Sequence, residues 1–139
     1  MYPILLTTHS LFRWLVLAGI VYTLFRSYYG WLGKKTFTAA DNKLRIITTS
    51  IIHLQFIFGL VLYFISPVTD YFLKHFSTAV HDRQTRFFGM EHSLMMVVAV
   101  ILITIGSIKA KYKTADTQKF KTLAIWFTIG LIIILTNIP

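Results

Sequence analysis

The chain contains no cysteine among its 139 residues. This absence excludes disulfide bonds, thiolate zinc sites, iron–sulfur clusters and covalently attached c-type haem. Any metal or cofactor must therefore be held by histidine, methionine or carboxylate side chains. The segment Met1–Ser10 also lacks the basic stretch with which a secretory signal begins, so we expect the first apolar segment to remain in the protein.

Charged residues are scarce as well, at 14% of the chain, whereas soluble domains average about 25%. Hydrophobic residues make up 55% and the mean hydropathy is +0.65. So few polar residues cannot cover a water-facing surface, and lipid is the expected solvent. The net charge of +9 lies in short stretches between apolar segments, where membrane proteins carry their topology signal. We therefore expect no binding to nucleic acid.

Proline occurs only at positions 3, 67 and 139, near the ends of the long apolar runs, so no proline interrupts them. A membrane span needs roughly 20 apolar residues, and runs of this length favour helices over barrel strands. We predict one all-α domain, an integral membrane four-helix bundle. Its helices are expected at about residues 4–31, 42–65, 86–112 and 116–138.

The basic residues predict the orientation of these helices. Ten of the fourteen Lys and Arg residues lie in the connections after the first and third helices, five in each. Such loops face the cytoplasm, so both termini are expected outside, in the periplasm, in an up-down-up-down bundle of a bacterial inner (cytoplasmic) membrane. The first and third helices then run in the same direction and lie on a diagonal.

Short polar signals predict how the helices begin and how the outer connection folds. Asp41 is expected to cap the second helix, and Thr114 or Asp116 the fourth. In the outer connection, residues 68–85, aromatic side chains alternate with lysine and histidine. This pattern indicates a short amphipathic helix on the membrane surface.

The tripeptide His-Ser-Leu opens both the first and the third helix, at His9 and His92. Both rings are expected roughly 7 Å below the outer end of the helix, at a rise of ~1.5 Å per residue. Ionisable groups are costly in hydrocarbon and mark functional sites. Across a bundle diagonal of roughly 11–14 Å, two imidazoles suit the axial positions of one haem b. Alternatively, the two histidines hydrogen-bond across helices or reach interfacial water, without a cofactor.

Two charged residues lie near this pair. Arg13 is one helical turn after His9, on the same face, and suits a haem propionate or a carboxylate; alternatively, it extends outward to water. Glu91 is expected to pair with Arg13 or to accept an N–H from a histidine on a neighbouring helix. The apolar lining of the haem pocket is expected to come from Phe12, Phe56, Met95 and Met96.

A second polar element, His53-Leu54-Gln55, lies in the second helix. His53 is expected roughly 18 Å from the outer end, near the membrane midplane and about 10 Å deeper than His9 and His92. It is therefore not expected to share their iron. His53 and Gln55 are candidates for a third ligand site, a proton relay or a quinone pocket, and His53 alternatively hydrogen-bonds across helices.

Several short motifs resemble the small four-helix membrane proteins of Bacteroidetes-type bacteria usually labelled cytochrome b. More distantly, the architecture is similar to four-helix b-type cytochromes. The resemblance implies haem b held by histidines of different helices, by position His9, His53 and His92. A second histidine pair is lacking, so an electron path across the membrane through two haems is not expected. The motifs are His9-Ser10-Leu11-Phe12-Arg13-Trp14, His53-x-Gln55 with Gly59, Tyr63-Phe64-x-Ser66-Pro67 and Arg86-Phe87 with Glu91-His92 and Met96.

The sequence thus predicts a membrane-bound b-type cytochrome for one-electron transfer, with His9 and His92 on haem iron near the periplasmic face. We expect an electron-transfer component linked to quinol or to a redox partner subunit, rather than a stand-alone enzyme. Oligomers are compatible with this prediction. Two alternatives stay open: a cofactor-free structural or assembly subunit, and a metal- or proton-handling protein that uses His53, Gln55 and Glu91.

Overall fold

The computed structural model describes residues 1–138, and helices account for most of them. The α-helices are α1 (Tyr2–Leu32), α2 (Ala39–Ile65), α3 (Pro67–Lys74), α4 (Phe76–Ala79), α5 (Arg83–Arg86), α6 (His92–Tyr112) and α7 (Asp116–Thr136), with a π-helical turn at Phe87–Glu91. Among the described residues there is no strand, which confirms the all-α prediction.

Four helical segments are long and apolar enough to cross a membrane, with mean hydropathies of 1.7 to 2.2 over their most apolar windows. These segments indicate a multi-pass membrane protein. They lie close to the four predicted ranges; the third begins earlier, because short helix α5 and the π turn join α6 in one continuous helical segment. The bounds are Tyr2–Leu32, Ala39–Ile65, Arg83–Tyr112 and Asp116–Thr136.

The four long helices pack in a ring. Helix α1 contacts α2 and α7, and α6 contacts the same two neighbours, so α1 and α6 lie on a diagonal. Small residues allow close approach between membrane helices. At Gly106 in α6, for example, a Cβ would lie only 2.2 Å from the Cβ of Trp126. Buried Ile20, Ile103 and Phe127 fill the space between the helices.

Helix α2 begins with a capping box, and this corrects the predicted cap. The Thr38 side chain accepts a hydrogen bond from the Asp41 backbone, and the Asp41 carboxylate accepts one from the Thr38 backbone. Asp41 is thus the third helical residue, and it also receives a bidentate ion pair from Arg26 at 2.9 Å. Asp41 therefore takes part in the cap as predicted, but with Thr38 as the N-cap residue. The α7 prediction is wrong, because neither Thr114 nor Asp116 caps that helix.

Arg45 belongs to α2 rather than to the preceding connection. Its guanidinium is buried and donates to the Asn42 side chain at 2.9 Å and to the Ser107 hydroxyl at 2.9 Å. Thr49 also donates to Ser107. These bonds satisfy the buried charge without a carboxylate. We call this end of the bundle, where α1 ends and α2 begins, the lysine end, and the opposite end the histidine end.

The connection between α2 and α5 folds back against the histidine end. Helix α3 confirms the short helix predicted there. It also packs against the rest of the protein rather than only lying on a surface. The Phe72 ring is buried against the π turn, where a Cβ on Gly89 would lie 2.4 Å from it. Further along, the Thr85 hydroxyl and backbone amide donate to the Asp82 carboxylate and hold the pKa of that group below its usual value.

The π turn is the main feature that the sequence did not predict. It lies directly before His92, at Phe87–Glu91. A π turn widens the helix by one residue and rotates the residues after it, and such turns are frequent at functional sites. The Gly89 carbonyl within it accepts a hydrogen bond from the Tyr63 hydroxyl at 3.1 Å, so α2 is tied to the turn that presents His92.

Candidate cofactor site

A cavity of about 920 Å³ lies at the histidine end. Pockets for small molecules and cofactors have volumes of about 300–1,000 Å³ and mostly apolar walls with a few convergent polar groups. This cavity follows that pattern. Four of the six predicted site residues line it: His9, Arg13, Gln55 and His92. Of the predicted apolar lining, Phe56 and Met96 contribute, whereas Phe12 and Met95 do not.

His9 enters the cavity from α1 and packs against α2. Its Cε1 lies 3.3 Å from the position that a Cβ on Gly59 would occupy. Because glycine has no Cβ, the imidazole can pack closely against α2 at this position. The Nδ1 atom of His9 is buried and has no hydrogen-bond partner among residues 1–138. This nitrogen is therefore unsatisfied, although the residue itself lines the cavity.

Arg13 and Gln55 place two more unpaired polar atoms beside His9. The Nε of Arg13 and the Oε1 of Gln55 are buried, and neither has a hydrogen-bond partner within the described chain. The Gln55 amide nitrogen donates to the backbone carbonyl of His9 at 2.9 Å, which fixes the side chain. A buried polar atom left unpaired costs about 1–3 kcal/mol. All three atoms belong to residues that line one cavity, and small side-chain rotations there would let them pair with a polar ligand group.

His92 is oriented by the other end of the chain. Its Nδ1 lies 2.7 Å from the backbone carbonyl of Asn137. A carbonyl only accepts, so Nδ1 carries the proton and Nε2 keeps its lone pair. In the described part of the chain Nε2 has no hydrogen-bond partner. Proteins commonly fix the tautomer of a metal-binding histidine by such a bond to its second nitrogen.

Glu91 does not take part in this cavity. The expected pair with Arg13 is not formed; instead Glu91 accepts a hydrogen bond from Arg86. The π turn explains the difference, because residues five apart come together in such a turn. Arg86 also donates to the Val80 carbonyl at 3.2 Å, so the pair anchors the outer connection.

His53 also lies outside the cavity. Its Nε2 is 2.8 Å from the Thr104 hydroxyl of α6, and its side chain is exposed on the outer surface of the bundle. The hydrogen bond across helices, one of the alternatives weighed for this residue, is therefore present. His53 is separate from His9 and His92 because its side chain faces the outside of the bundle.

The histidine pair can be compared with two kinds of site. Among residues 1–138, no group of three or more His, Asp or Glu side chains is arranged to hold a metal ion. Haem iron needs fewer protein ligands, because the macrocycle supplies the other four, and one or two axial side chains suffice. His9 and His92 on one cavity, with Arg13 beside them and apolar walls around them, fit this requirement.

Sequence reasoning missed two residues that orient the site. Asn137 supplies a backbone carbonyl, and no side-chain pattern encodes that role. Tyr63 stood in a motif but had no assigned partner; its hydroxyl holds the π turn through Gly89. Comparison of the chain with protein-family models, curated proteins and solved structures gave no match.

Proposed function

We propose that this protein is a membrane-bound b-type cytochrome that transfers single electrons through one haem b. The observation that carries the proposal is that His9 of α1 and His92 of α6, on diagonal helices, line one cavity together with Arg13. The haem would supply a one-electron iron couple. The protein would be an electron-transfer component rather than a stand-alone enzyme.

The four predicted residues that line the cavity each have a role in this proposal. His9 and His92 would hold the haem iron, the latter through Nε2 because Asn137 occupies its Nδ1. The Arg13 guanidinium would pair with a propionate, which offsets the cost of a cation within a span. Gln55 holds the α1 backbone at His9. The apolar walls exclude water, which in b-type sites helps to set the potential.

We also propose the orientation and location of the protein. The bundle would run up-down-up-down in a bacterial inner membrane, with both termini and the haem near the periplasmic face. Contacts along α1 and α2 support opposite chain directions, since His9 lies against Gly59 and Arg26 pairs with Asp41. The ten basic residues of the two predicted inner connections support the placement of the lysine end in the cytoplasm.

An absorption spectrum tests the haem. Protein expressed with added haem should show Soret and alpha bands in the reduced-minus-oxidised spectrum. His92→Ala and His9→Ala should each abolish the low-spin spectrum, whereas His53→Ala should keep it. A colourless protein that is folded would refute the proposal and point to a cofactor-free subunit. Loss of the spectrum in His53→Ala alone would refute the choice of ligands.

A lipophilic quinol is the redox partner that the cavity favours. Residues that face lipid, including Leu6, Leu60 and Phe64, also line the cavity, so it opens toward the bilayer between α1 and α2. The unpaired Gln55 Oε1 can accept a hydrogen bond from a hydroxyl. Leu6→Trp, which narrows this opening, should slow haem reduction by a quinol about tenfold and leave reduction by dithionite unchanged. Equal slowing by both reductants would argue against quinol.

A further inference from the structure

Two polar residues near the middle of α2 face away from the bundle. Ser50 and His53 are exposed, one helical turn apart. Helix α2 runs from Ala39 to Ile65, so at ~1.5 Å per residue His53 lies roughly 21 Å from its beginning and roughly 18 Å from its end. In a hydrocarbon core of ~30 Å this is the least polar depth.

The two residues belong to a continuous exposed stripe, which we call the α2 stripe. Its members recur at alternating intervals of four and three residues, the spacing with which two helices pack side by side in left-handed pairs. They are Ile46, Ser50, His53, Ile57 and Leu60. At the same depth, the other long helices expose apolar side chains such as Leu15, Ile101 and Ile129.

The polar atoms of the stripe are incompletely paired. The bond to Thr104 occupies Nε2 of His53 and leaves Nδ1 free. Neither this Nδ1 nor the Ser50 hydroxyl has a hydrogen-bond partner within residues 1–138. Polar groups without partners are costly in hydrocarbon, and titratable residues in spans almost always face protein or a water-filled cavity. The stripe is therefore suited to a second transmembrane segment rather than to lipid tails.

We propose that the α2 stripe is a homodimer interface, on which a second copy of this chain packs its own α2 about a two-fold axis along the membrane normal. The stripe is complementary to itself. When the Thr104 hydroxyl donates to Nε2, the Nδ1–H of His53 is a donor and the Ser50 oxygen an acceptor. A two-fold axis brings the same patch of both copies together, so each His53 donates to Ser50 of the partner subunit.

This interface does not depend on haem. The α2 stripe lies on the outer surface of the bundle, and none of its polar residues lines the cavity that holds His9 and His92. A colourless protein can still dimerise through it, and a monomeric protein can still bind haem. The two proposals therefore fail separately.

Cysteine cross-linking in native membranes gives a direct test, because the chain has no cysteine of its own. Ile57→Cys, at an apolar position of the α2 stripe that leaves Ser50 and His53 intact, should form a disulfide-linked dimer of twice the 16.1 kDa protomer on mild oxidation. The matched control is Ile129→Cys on α7, which is also exposed to lipid (43%) and should stay monomeric.

Three results would overturn the proposal: a monomeric Ile57→Cys protein, cross-linking of it only to a different protein, or equal dimerisation of the Ile129→Cys control. A second variant tests the role of the imidazole. His53→Leu in the Ile57→Cys background, which keeps Ser50, should lower the cross-linking yield about tenfold, the loss expected from two interhelical hydrogen bonds. An undiminished yield would contradict the reciprocal hydrogen bonds.

Discussion

The Nδ1 of His92 lies 2.7 Å from the Asn137 carbonyl, which ties the first residue of α6 to the end of α7. The bond selects one tautomer and leaves Nε2 free. It also links two residues that are 45 positions apart in the chain. The imidazole orientation thus depends on the docking of α7 against α6, and that dependence can be tested.

Deletion of residues 137–139 should lower haem affinity about 10- to 100-fold, the usual effect of removing a group that orients a metal-binding histidine. The truncated protein loses the carbonyl that accepts from His92 but keeps α7, which ends at Thr136. Haem titration measures the effect. Deletion of Pro139 alone retains the Asn137 carbonyl and serves as the control; equal affinity of the two truncated proteins would contradict the role of that carbonyl.

Gly59→Ala should disturb His9. The added Cβ would lie 3.3 Å from the ring, so the imidazole must move by a few tenths of an ångström. We expect haem affinity to fall about tenfold, at the lower end of the effect of groups that orient a ligand. Gly19→Ala is the matched control on the same α1–α2 interface, because its Cβ makes ordinary contact with Thr48 at 3.5 Å. Similar losses in both variants would indicate general destabilisation.

Gly89→Ala should destabilise the protein by about 1–3 kcal/mol, the usual cost of overpacking. Its Cβ would lie 2.4 Å from the Phe72 ring, and this ring cannot shift easily because it is buried. Thermal unfolding in detergent measures the loss. The double variant Phe72→Ala/Gly89→Ala should lose less stability than the sum of the two single variants, because Phe72→Ala removes the Cγ atom that the new Cβ would meet at 2.4 Å. A strictly additive double mutant would show that the two residues do not interact.

Asp82 should make the start of α5 sensitive to acid. Hydrogen bonds from Thr85 depress the pKa of the Asp82 carboxyl in the folded protein. Its stabilising contribution is therefore complete above the unfolded value of about 3.9 and is lost as the pH falls through the lower folded value. Hydrogen exchange at the Thr85 amide should be faster in Asp82→Asn than in the unchanged protein at pH 6. The difference should shrink below about pH 4; a constant difference would contradict this linkage.

Sequence reasoning reached much of the candidate site because its signals are local. Histidine, arginine and glutamine stand out in apolar runs, and four of the six residues proposed from them line the cavity. The partner of Glu91 was not accessible in the same way. An α-helical register places Glu91 away from Arg86, whereas the π turn brings the two together.

The sequence alone determined that this chain forms four long apolar helices, since hydropathy and the spacing of proline act within each segment. It also identified His9 and His92 as the candidate ligand pair. Only the tertiary structure decided that both rings reach one cavity, that Asn137 orients His92 and that His53 faces outward. Those outcomes depend on how each helix is rotated about its axis. That rotation is set by contacts between residues far apart in the chain, such as the hydrogen bond from Tyr63 to Gly89.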